Sequence, residues 1–336
     1  MMNAFKYLST LLLLILCGTL YGQDGKQSQK WSIALHGGAG TYSPDLTKEK
    51  IKMLENHMLE ALSIGESILS KGGKSIDAVQ AVVVYLEDCP LFNAGKGAVT
   101  NLQGVHELDA AIMDGSNLKA GAVAGLRDVK NPVKAARLVM DSTKHVFLIG
   151  EGASAFAKSQ GLDIVDNSYF STDERTAQNE RINKGTEEPY PVGTVGCVAL
   201  DMNGNLAAAT STGGMSGKKW GRVGDVPVIG AGTYANNSTA AISGTGHGEL
   251  WIRRVVAFDI SALMDYKGYT LENAANEVIF HKISPMGGSG GGIIAVDKSG
   301  NISMVFNTEA MNRAWSKSDG TFGVGVIKGD DKSFKK

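Results

Sequence analysis

The stretch Gly193-Thr194-Val195-Gly196-Cys197 stands where the sequence changes character. Before it, residues 166–192 are rich in Glu, Asn, Thr, Arg and Lys and carry no apolar period, which reads as a mobile linker. After it, two apolar runs, 195–201 and 206–211, flank Met202-Asn203-Gly204-Asn205, and Asn-Gly between apolar runs predicts a β-hairpin. A threonine that opens a strand is by itself a structural residue. At the end of a linker that can be cut, Thr194 has a second reading. If the bond ahead of it breaks, one residue carries both a hydroxyl and a free α-amine. Such an amine has a pKa of about 7.7–8.0 and accepts a hydroxyl proton near neutral pH. Gly193 is either a turn glycine or the residue that tolerates the strain of hydroxyl attack on its own carbonyl.

Working outward, residues 31–35 read as a strand that runs into His36-Gly37-Gly38-Ala39-Gly40. Residues 53–69 have helical apolar spacing, and Ser75 is placed to cap a helix through 78–86 with Asp77 in its first turn. Runs 108–113 and 121–126 read as strands, and Pro132 opens a helix through 140. Residues 145–149 form a short apolar run, and 152–160 read as helical. Downstream, 249–264 and 271–282 read as helices, and 292–296 with 302–306 as a second hairpin. This grouping predicts a layered α+β domain rather than alternating βαβ units.

Lys and Arg number 33 against 34 Asp and Glu, a net charge of -1, so no basic excess exists to hold nucleic acid. Cys17, Cys89 and Cys197 are too few for a disulfide scaffold or a cysteine zinc site. Lys6, the apolar run 11–17 and Gly22 have the form of a signal peptide over residues 1–22, against the competing reading of an uncleaved interfacial anchor. The expectation is export to the periplasm, with no membrane attachment once the signal is removed. Three tempting motifs fail. Gly72-Gly73-Lys74-Ser75 has Ile68 where a phosphate loop needs its first glycine. Gly287-Gly288-Ser289-Gly290-Gly291 fits G-x-S-x-G, but the last histidine, His281, precedes that serine, against the α/β-hydrolase order. His106-Glu107 lacks the second histidine of a zinc protease, so no catalytic metal is expected.

Three further features lie in the second half. Thr210-Ser211-Thr212-Gly213-Gly214 ends a strand with hydroxyls and a flexible turn. Gly221-Arg222-Val223-Gly224-Asp225 sets a cation and an anion three apart. They are either a surface ion pair or a clamp, Arg222 for a carboxylate and Asp225 for an ammonium, that fits the head of an amino acid. Gly244-Thr245-Gly246-His247-Gly248 leads into a helix, where backbone N–H groups and the Thr245 hydroxyl are candidate oxyanion donors.

In this order and spacing, the motifs resemble the plant-type L-asparaginase/isoaspartyl peptidases, a family of N-terminal-nucleophile (Ntn) hydrolases. Residues 36–40, Leu91-Phe92-Asn93-Ala94-Gly95, His106-Glu107-Leu108-Asp109-Ala110, 145–152 and Phe306-Asn307-Thr308-Glu309 resemble the family as well, so the likeness runs over residues 31–328. It implies a four-layer αββα sandwich made as a precursor that cuts itself. One domain would then hold an α chain, 23–193, and a β chain, 194–336, in an (αβ)2 assembly. The resemblance makes Thr194 the nucleophile with its own amine as base. It makes Thr212 a second threonine beside it, and Thr245 with the Gly246 amide the oxyanion hole. Arg222 and Asp225, with Gly248, would hold the substrate's carboxylate and ammonium, and Asn93 would lie beside the nucleophile. Gly37 and Gly38 would shape the cleavage junction. No catalytic cofactor is implied. A structural sodium on the 86–96 loop is, with Lys96 standing where a neutral residue is usual. The implied substrates are small molecules, L-asparagine and β-aspartyl (isoaspartyl) dipeptides, from which aspartate is released. The alternative is a glycosylasparaginase acting on N4-(β-N-acetylglucosaminyl)-L-asparagine. In that group the threonine more often follows Asp or another polar residue, whereas Gly193 precedes Thr194 here.

Overall fold

Strand β1 (Ser32–Gly40) shows how the layers arise, because it buries both faces. Ile33 and Leu35 join one apolar cluster and Ala34, between them, joins another. Side chains alternate across a strand, so a strand buried on both sides must lie between two layers. The computed structural model describes residues 30–41, 46–187, 193–288 and 290–336. The expected signal peptide (1–22) and the end of the expected linker (188–192) lie outside the described residues.

Along the first half β1 is followed by helices α1 (Lys48–Leu69) and α2 (Ser75–Asp88) and strands β2 (Leu108–Asp114) and β3 (Ala120–Leu126). Helix α3 (Pro132–Ser142), the short strand β4 (Phe147–Ile149), and helices α4 (Gly150–Ser159) and α5 (Asp173–Asn183) complete it. The second half brings β5 (Val195–Leu200), β6 (Leu206–Thr212), β7 (Thr233–Ala235) and β8 (Ala240–Gly246). Helices α6 (Gly248–Arg254), α7 (Val256–Lys267) and α8 (Leu271–Asn276) come next. Strands β9 (Gly291–Asp297), β10 (Ile302–Phe306), β11 (Ala310–Lys317), β12 (Thr321–Ile327) and β13 (Lys332–Lys335) close the chain.

Nine of these strands form one sheet, in the order β13-β12-β11-β1-β5-β6-β2-β3-β4, and four form a second, β10-β9-β8-β7. Only β3 and β4 pair in parallel; the other named pairs are antiparallel. Three apolar clusters cement four layers. Leu54, Met58, Val79, Val83 and Leu86 of α1 and α2 pack with Val195, Cys197 and Ala209 on the outer face of the large sheet. Ala34, Val198, Ala208, Ala241, Ile294 and Met311 fill the space between the sheets. Ile242, Ile293 and Ala295 pack outward on Ile260 and Val278 of the other helical layer. The expected αββα sandwich is the fold.

Both expected hairpins form, with register Val198↔Ala208 in one and Met304↔Ile294 in the other. The Asp201 carboxylate closes the first: Oδ1 accepts from the Asn203 and Asn205 N–H groups. Its Oδ2 accepts from the Ser75 N–H at the start of α2. Ser75 is therefore the first residue of that helix rather than its cap, and the cap oxygen comes from a hairpin 126 residues away.

The linker reading of 166–192 is corrected for its described part. Residues Asn167–Phe170 form a 3₁₀ turn that buries Phe170, and Asp173–Asn183 form α5. Thr172 caps α5 by accepting from the Arg175 N–H, and Asp173 and Glu174 stand in its first turn. The Arg175 guanidinium ties the helix to the Gly97 carbonyl at 2.8 Å. Only Gln178 and Ile182 are buried, so no apolar stripe advertises the helix. The expected single helix over 249–264 is two, broken at Val255, whose φ is 50°. The first N–H groups of α7 donate instead to the Ala231 and Gly230 carbonyls, which satisfies the new helix end. Among the described residues no helix is long and apolar enough to cross a membrane.

Candidate active site

Thr194 immediately precedes β5, in the middle of the large sheet, and is almost fully buried. Pairing of Val195 with Ser211 places Thr194 opposite Thr212 on the neighbouring strand, and the Thr194 hydroxyl donates to Thr212 Oγ1 at 3.1 Å. Thr212 Oγ1 also accepts from the Gly214 N–H at 2.9 Å, so its position is fixed from two sides. Thr194, Thr212, Gly214, Met215, Arg222, Gly224, Asp225 and Gly246 line one small cleft.

The loop from β6 delivers the charged pair to this cleft. A Cβ built on Gly248 would stand 2.8 Å from both Arg222 Nη2 and Asp225 Oδ1. Arg222 and Asp225 therefore flank a single point at the head of α6, and the surface-pair reading is set aside: Asp225 is only 5% exposed. Arg222 is instead paired in bidentate fashion with Glu249, Nε to Oε1 and Nη2 to Oε2, both 2.9 Å. Burial pushes the Glu249 carboxyl up, but Arg222 more than reverses this and holds it below its ordinary range. Burial pushes Asp225 up to about 7, with Arg222 opposing, and its Oδ2 has no hydrogen-bond partner. That oxygen is enclosed beside Gly232, while Oδ1 is the one that stands with Arg222 at Gly248, where a carboxylate oxygen can accept from an ammonium.

The bond between Gly193 and Thr194 is held from both sides. Asn93 Nδ2 donates to the Gly193 carbonyl at 2.8 Å and to the Gly214 carbonyl at 2.8 Å, while its Oδ1 accepts from the Val99 N–H. Gly38, with φ 109°, lies against Gly193 so closely that a Cβ on either would stand 2.5–2.6 Å from the other's Cα. Neither position has room for a side chain, which gives Gly38 and Gly193 a steric reason. Thr245 is fully buried on β8, and its Oγ1 accepts from the Ala39 N–H at 3.2 Å, leaving the hydroxyl proton to donate.

Of the site residues expected from the sequence, Thr212, Arg222, Asp225 and Gly246 share the cleft with Thr194, Asn93 and Gly38 hold Gly193, Gly248 lies against Arg222 and Asp225, and Thr245 meets the Ala39 N–H. Residues that the sequence did not single out stand among them. His36, fully buried, faces the Thr194 carbonyl at 2.8 Å through Nδ1. Lys218 lies under the 213–214 turn, donating to the Gly213 carbonyl at 2.9 Å and the Glu107 carbonyl at 2.7 Å. Burial pushes Lys218 down and nearby Asp109 up, and each draws the other back toward its charged form. Glu249 is the partner of Arg222. His36 heads the 36–40 motif and Glu249 follows the 244–248 motif, but their partners lie far along the chain, and nothing in local spacing marks Lys218. Among the described residues no cluster of three or more His, Cys, Asp or Glu side chains is gathered to hold a metal ion.

Comparison with known proteins bears on this arrangement. A family model described as Asparaginase matches residues 29–326. The isoaspartyl peptidase of Escherichia coli K12 is 48% identical over 315 residues, covering 89% of this chain and 97% of its own length. A putative isoaspartyl peptidase/L-asparaginase of Dictyostelium discoideum is 44% identical, covering 86% and 94%. The human isoaspartyl peptidase/L-asparaginase is 39% identical, covering 89% and 96%.

Proposed function

The chain belongs to the asparaginase family whose model spans residues 29–326 of it, and on that premise we propose that it is a threonine hydrolase that frees aspartate from isoaspartyl dipeptides and from L-asparagine. The observation that carries the reading is the cleft itself: a buried threonine hydroxyl, a guanidinium and a buried carboxylate around one small space. The names of the relatives, isoaspartyl peptidase and L-asparaginase, favour it over the glycosylasparaginase alternative.

Maturation comes first. In the uncut chain the Thr194 hydroxyl oxygen attacks the Gly193 carbonyl carbon, and Thr212 Oγ1 accepts the hydrogen bond of the departing proton. Asn93 Nδ2 is aimed at the carbonyl oxygen that becomes negative. The C–N bond breaks, the nitrogen takes the proton, and an ester joins Gly193 to the Thr194 oxygen. Water hydrolyses that ester, leaving a Gly193 carboxylate and a Thr194 with a free hydroxyl and a free amine. The same hydroxyl then serves substrate. The new amine takes its proton while the oxygen attacks the side-chain carbonyl of asparagine or the β-linked carbonyl of an isoaspartyl peptide. Thr245 Oγ1 and the Gly246 N–H stabilise the oxyanion, and ammonia or an amino acid leaves with the proton. Water then hydrolyses the β-aspartyl ester to aspartate. Arg222 and Asp225 hold the α-carboxylate and α-ammonium, with Gly248 leaving them room.

The finer parts of the proposal are an (αβ)2 assembly, export with removal of residues 1–22, and a structural sodium on the 86–96 loop. For the sodium, the Pro90 and Phe92 carbonyl oxygens converge near Gly97, 2.3 and 2.9 Å from where its Cβ would stand, and Lys96 directs its ammonium over the Tyr169 ring instead. Oxygen donors of that kind suit a hard cation, which would brace the loop that carries Asn93. Purified wild-type protein should give two masses that divide at 193/194. It should release ammonia from asparagine and aspartate from an isoaspartyl dipeptide. Thr194→Ala should remain one chain and do neither. A Thr194→Ala protein that still turns over either substrate refutes the proposal.

A further inference from the structure

Between the two sheets, beneath the cleft, runs an unbroken file of side-chain hydrogen bonds that the reaction above does not use. It begins at the Thr194 carbonyl, which faces His36 Nδ1 at 2.8 Å. His36 Nε2 meets Ser243 Oγ at 2.9 Å. Ser243 Oγ meets Thr210 Oγ1 at 2.8 Å, and Thr233 Oγ1 donates to Thr210 Oγ1 at 2.7 Å. The Val226 carbonyl, one residue past Asp225, is a second acceptor for the same Thr233 hydroxyl proton at 3.1 Å. His36 comes from β1, Ser243 from β8, Thr210 from β6 and Thr233 from β7, so the file crosses from sheet to sheet. All four side chains are fully buried.

The sense of the file follows from its first member. A carbonyl oxygen can only accept, so His36 carries its proton on Nδ1 and donates it to Thr194. His36 Nε2 is then a lone pair, and Ser243 must donate to it. Thr210 in turn donates to Ser243, and Thr233 to Thr210. Burial holds the His36 pKa down to about 3, so the ring stays neutral and the file keeps one polarity. We propose that His36, oriented by Ser243, Thr210 and Thr233, is a positioning residue for the nucleophile: it holds the Thr194 carbonyl and thereby sets where the amine of the same residue stands relative to its hydroxyl. This rests on the reading of Thr194 as nucleophile and base. Once the Gly193 bond is gone, Thr194 has no upstream chain to orient it. What remains is the strand that follows, the hydroxyl contact with Thr212 and the carbonyl contact with His36.

The second glycine of the Gly193-Thr194-Val195-Gly196 motif acquires a reason as well. A Cβ on Gly196 would stand 2.0 Å from Ser243 Oγ and 2.5 Å from His36 Nε2. The His36–Ser243 hydrogen bond passes directly over Gly196 Cα. A methyl group there would drive the two apart, although the backbone of Gly196 is not among those with positive φ.

The test uses full-length protein carrying Ser243→Ala, His36→Asn, His36→Leu or Gly196→Ala, with Thr194→Ala alongside. Rates of chain cleavage, kcat and KM for an isoaspartyl dipeptide, and Tm are measured. An asparagine amide can donate from the Nδ1 position, whereas leucine cannot. His36→Asn should therefore retain at least about tenfold more kcat than His36→Leu at matched Tm, with KM alike in both. Ser243→Ala deletes one buried oxygen and should lower kcat by about threefold to tenfold, the worth of one net hydrogen bond, with KM within about twofold. Gly196→Ala should lower kcat more than Ser243→Ala. If His36→Leu does not accumulate folded, Ser243→Ala decides. Wild-type kcat in Ser243→Ala, or equal kcat in His36→Asn and His36→Leu, overturns the inference while a dead Thr194→Ala leaves the proposed function standing. An active Thr194→Ala overturns the function itself.

Discussion

Asp225 offers the sharpest test of how substrate is held. Its carboxyl is buried, one oxygen lacks a partner, and burial raises its pKa to about 7. The α-ammonium of a substrate can be held only by the ionised form. As pH falls through 7 that form is lost, and at pH 6 about a tenth of it remains. The Thr194 α-amine, at about 7.7–8.0, must be unprotonated too. In free enzyme two protons therefore compete with turnover, so log kcat/KM should fall with a slope approaching about two below pH 6.5. In the complex the bound ammonium keeps Asp225 ionised, so log kcat should fall with a slope of about one. Asp225→Asn removes a charge-assisted contact worth about 1.5–3 kcal/mol, a loss of about 10- to 150-fold in kcat/KM. Its two profiles should both show a slope of about one. The assay is initial-rate ammonia release from asparagine across pH 5–9, with cleavage of the variant confirmed on a denaturing gel. A variant that keeps the wild-type KM, or keeps the steeper kcat/KM limb, shows that the ammonium is held elsewhere.

Asn93→Ala should fold and slow the cutting of the chain by about 100-fold or more, as expected for removal of one oxyanion donor. A time course of the uncut band after synthesis measures this, and a wild-type half-life would dismiss the Asn93–Gly193 contact as incidental. Glu87 offers a stability test. It is fully buried, with one oxygen hydrogen-bonded to the Val133 N–H and the other unpartnered, and burial raises its pKa to about 8. A raised acid is protonated in the fold but ionised in the unfolded chain above about pH 4.3, so stability must decline as pH climbs from there to about 8. Glu87→Gln removes that decline. Its advantage over wild type should grow across the window toward an upper bound of about 5 kcal/mol. Urea midpoints at pH 5 and 8.5 read it, and a constant offset between the proteins would mean that Glu87 is already ionised in the fold.

Much of this was legible before the structure. The β5–β6 hairpin could be placed because Asn203-Gly204 marks its turn, and Thr194, Thr212, Arg222 and Asp225 because their motifs are short and local. Helix α5 was not, since a cap at Thr172 and a tether from Arg175 to Gly97 support it with almost no apolar face. The break at Val255 was hidden for the opposite reason: a β-branched residue is a poor choice for a left-handed position, and only carbonyls from a distant loop reward it. The pairing of His36 with Ser243 spans 207 residues and exists only because two sheets stack. Burial on both faces erases the alternation that would have told one layer from the next.

The order of the large sheet has a mechanical consequence for a chain opened ahead of Thr194. From one edge, three strands come from beyond that point, then one from before it, then two from beyond, then three from before. The two pieces are laced like the fingers of clasped hands, with β1 of one gripped between β11 and β5 of the other. Opening the backbone therefore creates two ends but no seam along which the molecule could come apart. Separating the fragments requires peeling apart whole strand ladders, so the cut protein should melt as a single body and resist dilution as an intact one does.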